Sequence, residues 1–417
     1  MSARDPQPSD AGLIRQGAEA GGVSFQSLLE PVTLEKFFGD VSGRRPLHVS
    51  GNPRKFADLF SWAEFNRLLD MSKLWSDRSM KLVLDGRDVP PASYSVNGMT
   101  REGTRALLPD SPKVKALLRR GATMILDLVE TLTPGIAAVS RALTAATGSV
   151  VVCNAYCSFK SHQGFLAHFD TTDVFALHIE GSKVWRIYEG VADHPVDIPG
   201  YNSSSLTPEE HSSARGSLAM EVEMTPGDLI YLPRGQYHEA LASSESSLHL
   251  SFGANRATGL DFVSLLSRWL ADDPRFRRSL PHFDDVDAQR RHLIALGEAL
   301  RGWAQSAEVA AKVLEWQRGR AFREGIHQFE LPRVEENRRY HVCRHGVRLE
   351  KSPQGVVLVT PSASTALSES ETVVLETLRL QDFIDQASIE SMWPAAESAG
   401  SEQFVQKLLE AGAIKPV

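Results

Sequence analysis

Cysteine is scarce in this 417-residue chain, which has three, too few for a disulfide framework and in keeping with a reducing compartment. Long apolar runs are missing as well. No stretch of about 18 apolar residues occurs, so no membrane span is expected. The polar start Met1–Gly22 carries both charge signs and has no apolar core for a signal peptide. A basic excess is also lacking, with 45 Lys+Arg against 52 Asp+Glu and a net charge of −7. That balance disfavours a dedicated nucleic-acid coat but leaves room for a local basic patch. Gly (30) and Pro (22) are too few for a disordered or fibrous chain, and no repeat with a period of about 20–50 residues is present. What is there is a globular composition, 42% hydrophobic, long enough for two to four domains. The expectation is a cytoplasmic protein with no membrane segment.

Residues 1–24 read as a mobile tail rich in small, polar and turn residues. A helical preamble covers 25–148. FQSLLEPVTLEKFF and FADLFSWAEFNRLLDM have helical apolar spacing, RRPLHVSG and KLVLDGRDV read as strands, and 112–147 reads as helix broken at Pro134-Gly135. From 149 to 256 the period changes to two. SVVVCNAYCSF, DVFALHIEG, KVWRIYEG, AMEVEMTPGD, LIYLPRG and SLHLSFG are short, apolar and divided by turn residues, which indicates a β-barrel or sandwich. Residues 257–328 form amphipathic helices suited to a bundle or an oligomer interface. Residues 329–417 mix strand and helix in a small α+β unit of winged-helix type.

The most informative stretch is GFLAHFDTTDVFALHIEGSKVWRIY. His168 and Asp170 stand two apart at the entrance to a strand, where i and i+2 share a face. Such pairs are common, and two ligands are not a site. A third candidate, His238, closes PGDLIYLPRGQYHEA. Two histidines and one carboxylate form the facial set of non-heme Fe(II) oxygenases, which leaves positions open for co-substrate and O₂. Gly227 to His238 reads G-x5-P-x-G-x2-H and resembles the second motif of the cupin superfamily, in which Pro233 and Gly235 make the turn that aims His238 inward.

The resemblance extends to the JmjC-type protein hydroxylases and, within them, the ribosomal-oxygenase branch. H-x-D-x2-[DE]-V-F (His168–Phe175), G-x-K-x-W-x-[IL]-Y (Gly181–Tyr188) and P-x-G-x2-H (Pro233–His238) follow in order. It implies an α+β chain built on a double-stranded β-helix (cupin or jelly-roll) JmjC barrel with a helical preamble. A helical dimerisation region at 257–328 and a C-terminal winged-helix-like domain would follow. It implies an Fe(II)- and 2-oxoglutarate-dependent oxygenase using O₂, hydroxylating a protein side chain, typically of a ribosomal protein within that branch, with succinate and CO₂ as co-products. His168, Asp170 and His238 would hold the metal. Lys183 would bind the distal carboxylate of 2-oxoglutarate, since a buried dicarboxylate needs a cation. Asn154 and Tyr156, sharing a strand face, would add polar contacts to that pocket, and His249 would stand beside the metal without ligating it. A solvated hairpin lysine at Lys183 and ordinary barrel-lining residues at Asn154 and Tyr156 are the bland alternatives.

Other patterns carry less. His341, Cys343 and His345 in HVCRH would alternate on one strand face, but i to i+4 spans about 13 Å, too far for one ion. Cys153 and Cys157 are similarly too far apart for a disulfide and read as small barrel residues. His178 and Glu180 share a face but lack a downstream pair. The winged-helix-like end, from Leu331 on, has 9 Lys+Arg against 12 Asp+Glu, which argues against nucleic acid and for a protein contact or a structural role. Three readings stay open: a protein hydroxylase acting as a homodimer, the same chemistry on a peptide natural product or small molecule, and a cupin-like binding scaffold without turnover. The long polar segment 193–217 is expected to shape a substrate site.

Overall fold

The computed structural model describes residues 23–159, 163–323, 339–352, 355–393 and 400–417. The expected tail lies outside the described residues up to residue 22, as does the expected boundary at 328–329. The chain forms two compact units, Met1–Asn255 and Arg256–Val417.

The first unit opens with α1 (Phe25–Leu29), α2 (Leu34–Lys36), a π-helical turn at Phe37–Val41, β1 (Leu47–Val49) and α3 (Trp62–Asp70). Next come β2 (Met80–Leu84), β3 (Arg87–Asp88), α4 (Pro91–Tyr94), β4 (Ser95–Met99), β5 (Arg105–Pro109) and α5 (Ser111–Arg119). They are followed by β6 (Thr123–Leu126), α6 (Pro134–Thr147), β7 (Val150–Phe159), β8 (Gln163–His168) and β9 (Asp173–Val191). The unit ends with α7 (Pro208–Ala214), β10 (Leu218–Met224), β11 (Leu229–Leu232) and β12 (Gln236–Asn255). Ser24, expected in the tail, instead caps α1 with a reciprocal side-chain bond to Ser27.

The helical reading of 112–147 is corrected. α5 ends at Arg119, and the fully buried TMIL run forms β6, which pairs with β2 and β7. A four-residue apolar run between two helices carries no period of its own, so pairing partners decide its state. Pro134 does not break a helix but starts one. It sits in the first turn of α6, and Thr133 caps that turn through the Ile136 N–H.

Ten strands form one large sheet in which every recorded pairing is antiparallel. Two long strands organise it. β9 and β12 pair along most of their length, from Asp173↔Ala254 to Val191↔Gln236. The segments DVFALHIEG and KVWRIYEG, expected as separate strands joined by a tight turn at Glu180-Gly181-Ser182, are one continuous strand. What looked like a turn is a bend at Gly181, whose φ is +69°. The first half of β9 pairs with β11 and the second with β10. The late half of β12 pairs with β7 and its early half with β8. The bend thus folds one sheet into two facing layers.

A Cβ at Gly181 would lie 1.8 Å from the Ser246 carbonyl oxygen, so the bend demands glycine. Gly181→Ala is expected to cost more than about 2 kcal/mol in chemical denaturation. An unchanged midpoint would mean that the bend tolerates a side chain.

Alternation then sorts the layers. Cys153, Ala155 and Cys157 of β7 and Leu248, Leu250 and Phe252 of β12 point to a core shared with α1 and α6. Phe25, Phe37, Phe175 and Tyr231 meet there at centroid distances of 4.9–6.0 Å. Each such ring stabilises the fold by about 1.5–3 kcal/mol through burial. The two cysteines are buried free thiols, in keeping with their expected packing role.

The second unit contains α8 (Gly259–Trp269), α9 (Pro274–Arg277), α10 (Val286–Ala304) and α11 (Ala307–Arg323). Beyond them lie β13 (Arg339–Val342), β14 (Arg348–Ser352), β15 (Gly355–Val359), β16 (Ser364–Leu367) and α12 (Glu369–Leu378). β17 (Phe383–Asp385), α13 (Gln386–Met392), α14 (Gly400–Glu410) and β18 (Ile414–Pro416) complete it. Two three-stranded sheets, β17-β13-β18 and β14-β15-β16, flank a core of Tyr340, Leu358, Leu378, Phe404 and Leu408. β13 ends at Val342, so Cys343 and His345 do not continue the strand expected for HVCRH.

Candidate metal centre

The two layers enclose a cavity of about 500 Å³ including its open mouth. One layer supplies Thr123 from β6, Tyr156 from β7, Val174 from β9, and His249 and Ser251 from β12. The other supplies His168 from β8, Lys183 and Trp185 from β9, and His238 and Ala240 from β12. Asp170 completes the lining.

His168, Asp170 and His238 come together as expected, each offering one ligand atom within 4.8 Å of the others. Among the described residues no other group of three His, Cys, Asp or Glu converges in this way. That covers His341/Cys343/His345 and His178/Glu180. His168 and His238 are register partners across β8 and β12, with rings 4.6 Å apart. The expected reason for the His168/Asp170 pairing is corrected. β8 ends at His168, and Asp170 lies in the loop beyond it, not on the same strand face. The loop is held from the second motif: the Gly235 N–H donates to the Asp170 carbonyl at 2.9 Å. Gly235 has φ +85° and could not carry a Cβ, which would sit 2.2 Å from the Ala192 carbonyl oxygen. The turn therefore does two jobs, aiming His238 and anchoring Asp170.

The imidazoles are set in one tautomer. His168 Nδ1 lies 2.8 Å from the Leu166 carbonyl and His238 Nδ1 lies 3.0 Å from the Gln236 carbonyl. A carbonyl only accepts, so each Nδ1 carries the proton and each Nε2 presents its lone pair. His238 Nε2 is 3.6 Å from Asp170 Oδ2. Burial, and then the proximity of His168, push the His238 pKa down to about 4, against the pull of Asp170. The ring is neutral at physiological pH, the state a metal needs. Two imidazoles and a carboxylate fit a divalent first-row metal.

Lys183 projects into the cavity and is buried; its ammonium donates to Ser158 Oγ at 3.1 Å, and Ser158 in turn meets Thr123 Oγ1 at 2.9 Å. No carboxylate of the described residues forms an ion pair with it. Desolvation lowers its pKa to about 8. A buried cation with one neutral partner is costly to keep unless an anion visits it. Two further buried polar atoms of the lining have no partner, Trp185 Nε1 and His249 Nδ1. The cavity thus holds an ammonium and unsatisfied nitrogen atoms beside the triad, a donor set that fits a small dicarboxylate.

His249 is buried and stacks on Tyr156 at 4.7 Å with an interplanar angle of 10°. It also stands edge-on to Trp185, and it is not part of the ligand triad. Asn154 and Tyr156 share the cavity-side face of β7, but Asn154 does not line the cavity. Its Oδ1 accepts from the Leu128 N–H at 3.2 Å, and its side chain also bonds Tyr156. Cavity burial, chiefly, raises the Tyr156 pKa, so its hydroxyl stays protonated. His178 is buried behind His249 and bonds the Gly181 carbonyl at 3.1 Å.

Trp185 was legible as a motif residue without a role, and its i+2 spacing from Lys183 is the signal that both face the cavity. Thr123 had no such signal, because its segment reads as helix.

Residues 133–262 match the family model described as JmjC domain. The chain is 28% identical over 304 residues to a chicken (Gallus gallus) protein named ribosomal oxygenase 1, a match covering 67% of this chain and 47% of that protein. It is 26% identical over 295 residues to a Culex quinquefasciatus protein named bifunctional lysine-specific demethylase and histidyl-hydroxylase NO66, covering 66% of this chain and 43% of that one. This chain thus spans about half the length of these relatives. Among solved structures, Escherichia coli YcfD, described as a ribosomal oxygenase in complex with cobalt and succinic acid, superposes with a TM-score of 0.55. That likeness covers 93% of this chain and 98% of YcfD at 16% identity, and it concerns the fold alone.

Proposed function

We propose, on the premise that this chain carries a JmjC domain with a metal triad at its centre, that it is an Fe(II)- and 2-oxoglutarate-dependent oxygenase. Its substrate on this reading is a side chain of a protein, a ribosomal protein first of all. The observation that carries the reading is the presence in one cavity of a three-ligand set and a buried ammonium that no described carboxylate neutralises. The names of the relatives point the same way, two of them being oxygenases or hydroxylases.

His168, Asp170 and His238 would hold Fe(II) as its three protein donors. Fe(II) with 2-oxoglutarate and O₂ supplies, when bound, oxidative decarboxylation to succinate and CO₂ coupled to hydroxylation of a C–H bond. Lys183 binds the distal carboxylate of 2-oxoglutarate as the charge partner it otherwise lacks. Tyr156 and His249 wall that pocket with their stacked rings, and Asn154 steadies Tyr156. Val174, Ala240 and Trp185 keep the walls apolar and limit water.

The test is product formation. Purified protein with Fe(II), ascorbate and 2-oxoglutarate should release succinate. Ribosomal proteins from a strain with the gene should carry the mass of one added oxygen atom that a deletion strain lacks. No succinate above a His168→Ala control, across ribosomal proteins and peptides, would return the protein to the scaffold reading.

The second unit supports a homodimer on the same reading. Phe283 (78% exposed), Val286, Leu293, Ile294 and Leu314 leave apolar surface along residues 283–314. Leu293→Glu with Ile294→Lys should convert a dimer to a monomer in sedimentation; a wild-type monomer would refute the assignment. The terminal α+β region is winged-helix-like on this reading, and its acidic balance suits protein contact over nucleic acid. Free buried thiols at Cys153 and Cys157 suit a cytoplasmic location.

A further inference from the structure

The segment 193–217, expected to shape a substrate site, carries α7, and α7 faces the back of the metal-bearing strands. Phe169 stands between ligands His168 and Asp170, and Tyr237 immediately precedes ligand His238. Neither lines the cavity, and both are buried in a small cluster with Ala167 and Tyr188. His211 of α7 closes that cluster. Its ring lies 6.0 Å from Phe169 and 5.7 Å from Tyr237, and Phe169 and Tyr237 meet edge to face at 5.3 Å.

Both His211 nitrogens are committed. Nε2 lies 3.0 Å from the Ser203 carbonyl, which only accepts, so Nε2 carries the proton. Nδ1 then accepts from the Tyr237 hydroxyl at 3.2 Å. Arg215, the residue that caps the end of α7, grips the other flank. It donates to the Tyr188 hydroxyl at 3.0 Å and lies over that ring, and Tyr188 donates to Glu239 at 2.7 Å. Tyr237 and Glu239 bracket His238. The segment thus touches the neighbours of two ligands, His168 and His238, and the residue just before the third. Its approach is close: a Cβ on Gly190 would lie 2.1 Å from the Ala214 carbonyl oxygen.

We propose that α7 is an outer brace of the metal centre and that His211 is a positioning residue, which fixes the spacing of His168, Asp170 and His238 through Phe169 and Tyr237 without touching the metal. This rests on the metal-centre reading above. Groups that hydrogen-bond metal ligands typically govern affinity about 10–100-fold, and a brace that acts through the ligands' chain neighbours belongs at the low end of that range.

The probe is Co(II) added to the full-length metal-free protein, read by affinity and by its visible ligand-field spectrum. His211→Phe keeps a ring but removes both hydrogen bonds. It should weaken Co(II) binding about tenfold and shift the spectrum, and His211→Gln, which restores a polar partner, should recover part of both. Tyr237→Phe should weaken binding similarly, and the double variant should add little. Unchanged affinity and spectrum in folded His211→Phe and Tyr237→Phe would overturn the brace. If His211→Phe fails to fold, Tyr237→Phe decides alone. Wild-type protein that binds no Co(II), or binds it as well without Asp170, would instead overturn the metal centre and the brace with it.

Discussion

Asp170→Ala is expected to lower metal affinity by more than about a hundredfold, beyond the range of an outer-sphere loss, and to bring succinate release to the level of a metal-free control. Asp170 is the only charged ligand of the triad. Without it a divalent ion would meet two neutral imidazoles in a cavity where His238 is buried, and nothing local would offset the desolvation of its charge. The fold should be spared. The Asp170 side chain is 41% exposed, and its backbone carbonyl, which accepts from Gly235, survives the substitution. Such a change away from a core typically shifts stability within about 0.5 kcal/mol. Isothermal titration with Mn(II) or Co(II), beside a melting curve, checks both halves. Full metal occupancy in Asp170→Ala would show that the triad is not the metal site.

Lys183→Met separates binding from folding in the opposite direction. Removing the ammonium should weaken 2-oxoglutarate about 10–100-fold, the range for a lost charge-assisted bond, while metal affinity stays near wild type. The ligand-free protein should melt several degrees higher. Burial lowers the folded pKa to about 8 from 10.5, so the penalty is absent above pH 10.5 and complete below pH 8. At neutral pH it is of the order of 3 kcal/mol, and methionine, of similar length, removes it without opening a cavity. The same shift sets a pH signature. On the role proposed for Lys183, wild-type affinity for 2-oxoglutarate should fall as pH rises past about 8, by up to about tenfold per unit, and Lys183→Met should lack that slope. Equal loss of metal and co-substrate, or a lower melting temperature, would make Lys183 a structural residue.

That His168, Asp170, His238 and Lys183 are candidates to be weighed together was readable because each sits in a short local pattern, and the four do meet in one cavity. H-x-D, G-x-K-x-W and P-x-G-x2-H place chemistry-bearing side chains at fixed offsets from glycine or proline, and those offsets survive whatever the rest of the chain does. Strand alternation separated Ala155 from Asn154 and Tyr156 without any coordinates. What alternation could not do was assign a layer. Asn154 has the same parity as Tyr156, yet only Tyr156 lines the cavity, because the amide turns to Leu128.

The misreadings share one cause. Thr123–Leu126 became a strand because β2 and β7 were there to pair with it, and the apparent hairpin at Gly181 became a bend because β12 bends beside it at Ala242–Ser247. Both outcomes depend on partners distant in the chain, which no local window contains. The segment 193–217 shows the same dependence on distant partners. Its composition is that of a polar surface loop, and only the fold brings His211 against Tyr237 and Arg215 against Tyr188. The sequence alone determined which atoms are available to hold a metal and a dicarboxylate, because donor identity and turn chemistry are local. Tertiary structure alone decided their convergence, tautomer and support, because those follow from register between long strands and from what packs behind them.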